Sequence, residues 1–199
     1  MVRNTLRIMV ASRTVAKASF YPGGLILKPL LGAFLLCLSF ACSRPAAANT
    51  WPQSCGDENI NFDVKTQKHQ PPPAAPAEGK AQIIFIQIEN QMVAPFQNAT
   101  VRFGMDGAWV GANNGNSYFA FTVDPGLHHL CANWQSVLKR LNKNLDLTSF
   151  TAESGQVYYY AAQVTVNSQN SVSFGLSQLN ADEGKYRVEN FKLSTSKAK

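Results

Sequence analysis

The sequence lacks the short motifs that usually mark an enzyme. It contains neither a Gly-x-Ser-x-Gly nucleophile elbow nor a glycine-rich loop that could hold a phosphate. Its adjacent carboxylates, Asp57-Glu58 and Asp182-Glu183, lie beside predicted turns, where solvated capping roles are more usual than paired acid–base catalysis. We therefore expect no catalytic residue and no cofactor.

Residues 49–199, which follow the predicted signal peptide, also lack an excess of charge of either sign. The whole chain has 18 basic and 12 acidic residues, a formal net charge of +6. Six of the basic residues precede Asn49 whereas all twelve acidic ones follow it, so residues 49–199 carry twelve of each sign. Nucleic-acid binding depends on basic charge that meets phosphates. We therefore expect no nucleic-acid partner.

The N-terminal quarter has no acidic residue and shows the order of a secretory signal. Basic residues populate positions 1–28, and the apolar run PLLGAFLLCLSFA follows at 29–41. This run is too short to span a bilayer comfortably. Ala46 and Ala48 then stand in the Ala-x-Ala arrangement that signal peptidase prefers. The pattern predicts a signal peptide over residues 1–48 and a periplasmic or extracellular protein.

A second processing route remains open. LSFAC, residues 38–42, loosely resembles the box that precedes the lipidated cysteine of bacterial lipoproteins, although Ser39 and Phe40 stand where an aliphatic and a small residue are usual. Lipid on Cys42 would anchor the protein to a membrane. We expect membrane contact only in that case.

Two cysteines, Cys55 and Cys131, remain beyond the signal. Two cysteines in an exported chain are most simply one disulfide. This bridge would close a loop of 76 residues. The chain-entropy model gives such a bridge about 4 kcal/mol of stabilisation.

Composition divides the exported chain into three parts. Residues 49–68 hold the first cysteine and a short strand, in which Ile60, Phe62 and Val64 alternate with polar residues. Residues 69–79, HQPPPAAPAEG, form a proline-rich linker that cannot join a sheet ladder. Residues 80–196 are predicted to form the main domain.

This main domain reads as an all-β, immunoglobulin-like or prealbumin-like sandwich. About seven short strands are separated by turn signals at intervals of roughly eight to twelve residues, the spacing typical of sandwiches. The apolar run at 81–89 predicts a central strand, and Asp106-Gly107 predicts a hairpin turn. Short helices are expected at 136–145 and 181–191, followed by a loose tail.

Residues 103–136, FGMDGAWVGANNGNSYFAFTVDPGLHHLCANWQS, resemble the exported bacterial family called domain of unknown function 2846. They are more distantly similar to the PEGA-type β-modules of surface proteins. The resemblance extends over roughly residues 55–196, on stretches such as FTAESGQVYYYAAQV. It implies an exported β-sandwich without a settled activity, and it matches turn residues rather than catalytic ones (Asp106, Gly107, Pro125 and Gly126).

The stretch DPGLHHLC, residues 124–131, raises the question of a metal or catalytic site. In a strand, His128 and His129 point to opposite faces and cannot easily bind one ion together. A zinc site needs three or four convergent ligands, and the exported chain has one further histidine, His69. We interpret the stretch as a turn and a strand that ends in the disulfide, and expect no metal. The alternative is a small hydrolase or metal protein that uses His128 or His129.

Aromatic and basic side chains supply the remaining candidates for a binding surface. The aromatic rings are expected to fill the core, and the alternative is an exposed patch that binds an envelope protein or a glycan (Trp109, Trp134, Tyr158 and Tyr160). Basic residues of the first helix are expected on its solvated face, and the alternative is contact with a membrane or an acidic partner (Lys139, Arg140 and Lys143). The sequence thus favours a non-catalytic, exported binding or structural module.

Overall fold

The computed structural model describes residues 51–68, 70–90, 96–169 and 171–199. These residues belong to one compact unit, Ala46–Lys199. The predicted signal peptide, Cys42 and His69 lie outside the described residues. No helix within the described ranges is long and apolar enough to cross a membrane.

Over these residues the chain folds as an all-β sandwich with ten strands and one helix, which confirms the predicted class. In chain order the elements are β1 (Phe62–Gln67), β2 (Ala81–Asn90), β3 (Thr100–Met105), β4 (Ala108–Asn114), β5 (Ser117–Val123), β6 (Gly126–Gln135), β7 (Leu145–Ala152), β8 (Val157–Val166), β9 (Val172–Leu179), α1 (Ala181–Asn190) and β10 (Lys192–Ala198).

The strands form two sheets. The larger sheet has the order β1-β10-β5-β2-β8-β9, and the smaller has the order β4-β3-β6-β7. Most neighbours are antiparallel, but β2 pairs with β8, and β10 with β5, in parallel. The nearly continuous apolar run of β2 lies between β5 and β8, as expected for a strand with both faces covered.

The main core lies between the two sheets. Phe85 of the larger sheet contacts Phe103 and Phe119, with ring centroids 4.9 and 5.2 Å away. Gly111 faces the same cluster, and a Cβ there would lie 2.8 Å from the Phe119 ring. A smaller cluster on the outer face of the larger sheet includes Val188 of α1. Both faces of this sheet are therefore packed.

The helix predicted at 181–191 is confirmed as α1. Asn180 caps it by accepting a hydrogen bond from the backbone nitrogen of Glu183 (2.9 Å). Gly184 lets the helix approach the sheet, because a Cβ there would lie 2.2 Å from the Tyr159 ring.

Two local predictions are wrong. Residues 136–144 form bends and turns rather than a helix. Leu141 reaches the main core, but Val137 and Leu138 are exposed, so the predicted apolar stripe is not buried as a unit. The predicted loose tail is β10, inserted between β1 and β5. Its order comes from backbone pairing with two strands rather than from its few apolar side chains. The larger strand number, ten instead of about seven, partly reflects this addition.

Side chains of the smaller sheet form hydrogen bonds with backbone groups of β1 and β9, the two edge strands of the larger sheet. Gln135 of the smaller sheet accepts a hydrogen bond from the Phe62 nitrogen (2.7 Å) and donates to the Phe62 carbonyl (3.0 Å). At the opposite margin Asp146 accepts from the Leu176 nitrogen at 2.7 Å. These contacts occupy strand-edge groups that could otherwise pair with another chain.

Candidate functional site

The predicted disulfide is present. Cys55 and Cys131 are bonded, with their Cα atoms 5.2 Å apart, and both are buried. The bridge fastens the segment before β1 to the middle of β6. Because neither sulfur is a free thiolate, neither can serve as a nucleophile or a metal ligand.

His128 and His129 lie on opposite faces of β6, as predicted. The His128 ring is mostly buried against Phe150, with ring centroids 5.6 Å apart, whereas His129 is exposed. His128 Nδ1 lies 2.6 Å from Asp106 Oδ2, and Nε2 lies 2.8 Å from the Asp124 carbonyl oxygen. Both ring nitrogens thus face acceptors, which suits a protonated imidazole with two N–H donors.

The surroundings of His128 favour its charged form. Desolvation lowers its pKa, but the hydrogen bonds and charges of Asp106 and Asp124 outweigh this and raise the pKa above the ordinary 6.5. For Asp106, desolvation raises the pKa, and hydrogen bonds from His128 and the His129 backbone outweigh it and lower the pKa. The pair resembles a catalytic dyad, yet the Nε2 that would accept a proton from a nucleophile is engaged by a carbonyl.

The other sequence candidates are dispersed. The described residues contain no group of three or more His, Cys, Asp or Glu side chains arranged for a metal ion. The Asp57 carboxylate accepts a hydrogen bond from the Asn59 backbone nitrogen at 2.9 Å. Asp182 and Glu183 occupy the first turn of α1. These carboxylates therefore have the capping and turn roles expected for them.

The four aromatic residues considered as a patch do not form one. Trp134 and Tyr160 are each 2% exposed and belong to the core, as expected for these rings, so the alternative of an exposed patch does not hold for them. Strand alternation did not reveal which face of β6 or β8 meets the other sheet. Tyr158 packs on Phe150, whereas Trp109 belongs to the arginine cluster described next.

The central residue of that cluster is Arg102, which was not among the candidates predicted from the sequence. Arg102 lies on β3 opposite Asn133 of β6 and is 2% exposed. Its Nε and Nη2 donate to Asn133 Oδ1, and its Nη1 donates to the carbonyls of Glu58 and Ile60. Four of its five N–H groups therefore have acceptors, and one Nη2 hydrogen has none among the described residues.

Two tryptophans enclose the guanidinium. Its carbon lies 4.5 Å from the Trp109 ring centroid and 6.0 Å from that of Trp51. Both indole N–H groups are directed to nearby carbonyls, Trp109 to Asp57 and Trp51 to Gly56, each at 2.7 Å. The rings therefore present carbon surfaces rather than polar ones around Arg102.

The Arg102 charge has no carboxylate in direct contact. Desolvation is the main effect and lowers its pKa to about 10, although the charges of Glu58 and Asp57 raise it. Arg102 is therefore still protonated at neutral pH. No ion pair in the described part of the chain includes it. A buried cation with only neutral acceptors keeps an uncompensated positive charge.

This charge borders a cleft of about 700 Å³, a volume within the usual range for small-ligand sites. The residues that form it come from the segment before β1, from β3, from the loop before β7 and from the first residue of β7 (Trp51, Pro52, Glu58, Asn59, Arg102, Lys139, Asn142, Lys143 and Leu145). Three of these are basic and one is acidic, and the two lysines are exposed. We call this site the basic cleft.

The sequence held one signal for the basic cleft. Arg102 stands between Val101 and Phe103 in the strand TVRFGM, where a lone charge is unusual if both faces are covered. The lysines considered as a helix face instead lie at the mouth of the cleft, on the loop that replaces the predicted helix. A search of family models finds no match to this chain, and a search of curated proteins finds no significant similarity.

Proposed function

We propose that this chain is an exported, non-catalytic β-sandwich module of the cell envelope that binds a ligand in the basic cleft. The observation that carries the proposal is the buried disulfide between Cys55 and Cys131, because structural disulfides form and persist in oxidising compartments. The secretory pattern of residues 1–48 and the resemblance to domain of unknown function 2846 support the same conclusion.

A binding role is favoured over catalysis by the chemistry of the two charged clusters. The His128 ring has both nitrogens engaged, which leaves it no free lone pair for proton transfer. The basic cleft instead combines fixed positive charge, amide groups and an aromatic ring. Such convergent polar groups around partly apolar walls are typical of recognition sites.

The intact mass of the exported protein tests the cellular part of this proposal. It is measured unreduced and reduced, with thiol alkylation, on protein recovered from a fractionated bacterial host. We expect a mass that begins at Asn49 and no alkylation before reduction. Two alkylated thiols in unreduced exported protein would contradict the disulfide, and unprocessed protein confined to the cytoplasm would contradict export.

The same measurement separates the two processing routes. A lipid-sized increment on a chain that begins at Cys42 would make the protein a membrane-anchored lipoprotein. In that case Cys42→Ser should release it from the detergent phase. Partitioning that survives Cys42→Ser would rule out lipid on this cysteine.

A further inference from the structure

The basic cleft selects for negative charge in its ligand. Lys139 and Lys143 stand at its mouth and Arg102 lies at its inner wall, whereas the lining contains a single carboxylate, Glu58. The Arg102 charge is desolvated and has only neutral acceptors in contact. A ligand anion would therefore gain from a field that no protein group fully neutralises.

The remaining lining suits a hydroxyl-rich molecule. The Asn59 amide nitrogen already donates to Asp57 Oδ1, and the Asn142 amide oxygen already accepts from the Ser136 nitrogen. The Asn59 oxygen can still accept from a ligand, the Asn142 amide nitrogen can still donate, and the Glu58 carboxylate can accept from hydroxyl groups. Trp51 lines the same cleft, and its indole N–H is already bonded to the Gly56 carbonyl. Its carbon surface is thus the part left for a ligand, as for the apolar face of a sugar ring.

We propose that the basic cleft binds an acidic saccharide, with a sugar ring against Trp51 and its carboxylate or sulfate between Lys139 and Lys143. This inference rests on the proposed binding function and specifies the ligand class. A saccharide is favoured over an acidic peptide because both amides and the indole line the site beside the charges. An extended peptide would also seek backbone pairing, whereas the lining here is made of side chains.

Calorimetric titration of the disulfide-intact exported protein tests the ligand class. The probes are tri-galacturonate, a sulfated heparin trisaccharide, neutral maltotriose and a short poly-glutamate peptide. We expect one or both acidic sugars to bind, with affinity that falls as salt is added, and maltotriose to bind at least about tenfold more weakly. Equal binding of maltotriose, or tighter binding of poly-glutamate than of either acidic sugar, overturns the proposal.

Charge reversal at the mouth tests the location. Lys139→Glu combined with Lys143→Glu should weaken acidic-sugar binding by at least about tenfold, because two attractive charges become repulsive. Lys65→Glu combined with Arg140→Glu changes the net charge equally at exposed residues that do not line the cleft. This control should bind within about twofold of the wild type. Equal loss in both variants would mean that only net charge matters, and would overturn the site.

Trp51→Ala tests the aromatic contribution and should weaken binding severalfold. Circular dichroism and unreduced thiol content verify that each variant is folded. Failure of every acidic probe to bind the folded protein overturns this inference. It leaves the export and disulfide results untouched, since the intact-mass experiment measures those independently.

Discussion

Each end of the β3–β6 pair has a charged side chain, and the two side chains differ in whether an opposite charge contacts them. At one end Arg102 lies opposite Asn133 and is bound only by neutral oxygens. At the other end His128 lies beside the carboxylate of Asp106, just after β3. The disulfide cysteine of β6, Cys131, lies between them.

This difference separates an uncompensated charge beside the basic cleft from a charge that is compensated within the fold. Arg102 stays protonated throughout the physiological range even with its pKa lowered to about 10, and its charge adjoins the basic cleft. His128 has an anionic partner within the fold, whose hydrogen bond and charge raise its pKa against the effect of desolvation, so its charge serves the protein's own stability. The contrast can be tested by perturbing each end and the bridge between them.

Removal of the disulfide should have the largest effect. Cys55→Ala combined with Cys131→Ala should lower the free energy of unfolding by about 4 kcal/mol, because the unfolded chain gains the freedom of a 76-residue loop. The bridge holds the segment that supplies the Glu58 and Ile60 carbonyls to Arg102. Urea unfolding measures the loss, and hydrogen exchange should show more loosening around Arg102 than around His128.

The wild-type protein unfolded in the presence of a reductant is the control for this prediction. Its free energy of unfolding should fall by the same amount as that of the double variant. Both proteins lack the bridge, but the reduced wild type keeps both sulfur atoms, so an equal loss assigns the effect to the bridge itself. Equal loosening at His128 and Arg102 would contradict the view that the disulfide serves mainly the arginine end.

Local signals in the sequence were sufficient for the features that depend on neighbouring residues. The apolar run at 81–89 identified β2, and Asp106-Gly107 identified the β3–β4 turn, where both residues have positive φ. The disulfide followed from the number of cysteines beyond the predicted signal peptide. Each of these conclusions needed only the local pattern or the composition.

The features that the sequence did not reveal depend on contacts between distant residues. β10 has few apolar side chains and owes its order to pairing with β1, far away in the chain. The burial of Arg102 depends on Asn133, 31 residues later, and on carbonyls before β1. No periodicity in TVRFGM predicts those partners, so the basic cleft could not be assembled from sequence.

Replacement of Arg102 should have the next largest effect. Arg102→Met keeps much of the side-chain length but leaves Asn133 and two backbone carbonyls without their donor. We expect a loss of about 3 kcal/mol in the free energy of unfolding, the range for breaking a buried charged contact. Arg102→Lys should recover only part of it, because an ammonium cannot reach all of these acceptors at once.

Lys143→Met is the matched control for this experiment. It removes a basic side chain of the same cleft, but one that is exposed, and should change the unfolding free energy by less than about 0.5 kcal/mol. If Arg102→Met were as stable as the wild type, the free-energy cost of desolvating the guanidinium would equal the stabilisation from its hydrogen bonds. The charge would then be retained for binding alone.

The smallest effect is expected at His128, and it should depend on pH. A pKa raised above 6.5 in the folded state gives stability that is fully present below the unfolded pKa and is lost as pH rises through the folded value. The wild type should therefore lose stability as pH rises above about 6.5, the ordinary pKa of histidine. The loss should be about 1 kcal/mol or less, because Asp106 is partly exposed and screened. Urea unfolding across this range measures the loss.

Paired variants assign the pH dependence to His128. His128→Gln should remove the decline, whereas His129→Gln, at the exposed neighbouring position, should keep it. Asp106→Asn should flatten the same profile, because it removes the anion that favours the imidazolium, while the acceptor for the His129 backbone nitrogen can be retained by the amide oxygen. If Arg102→Met flattened the profile as well, the two ends of β3–β6 would be coupled. The division between a ligand-binding charge and a structural charge would then have to be abandoned.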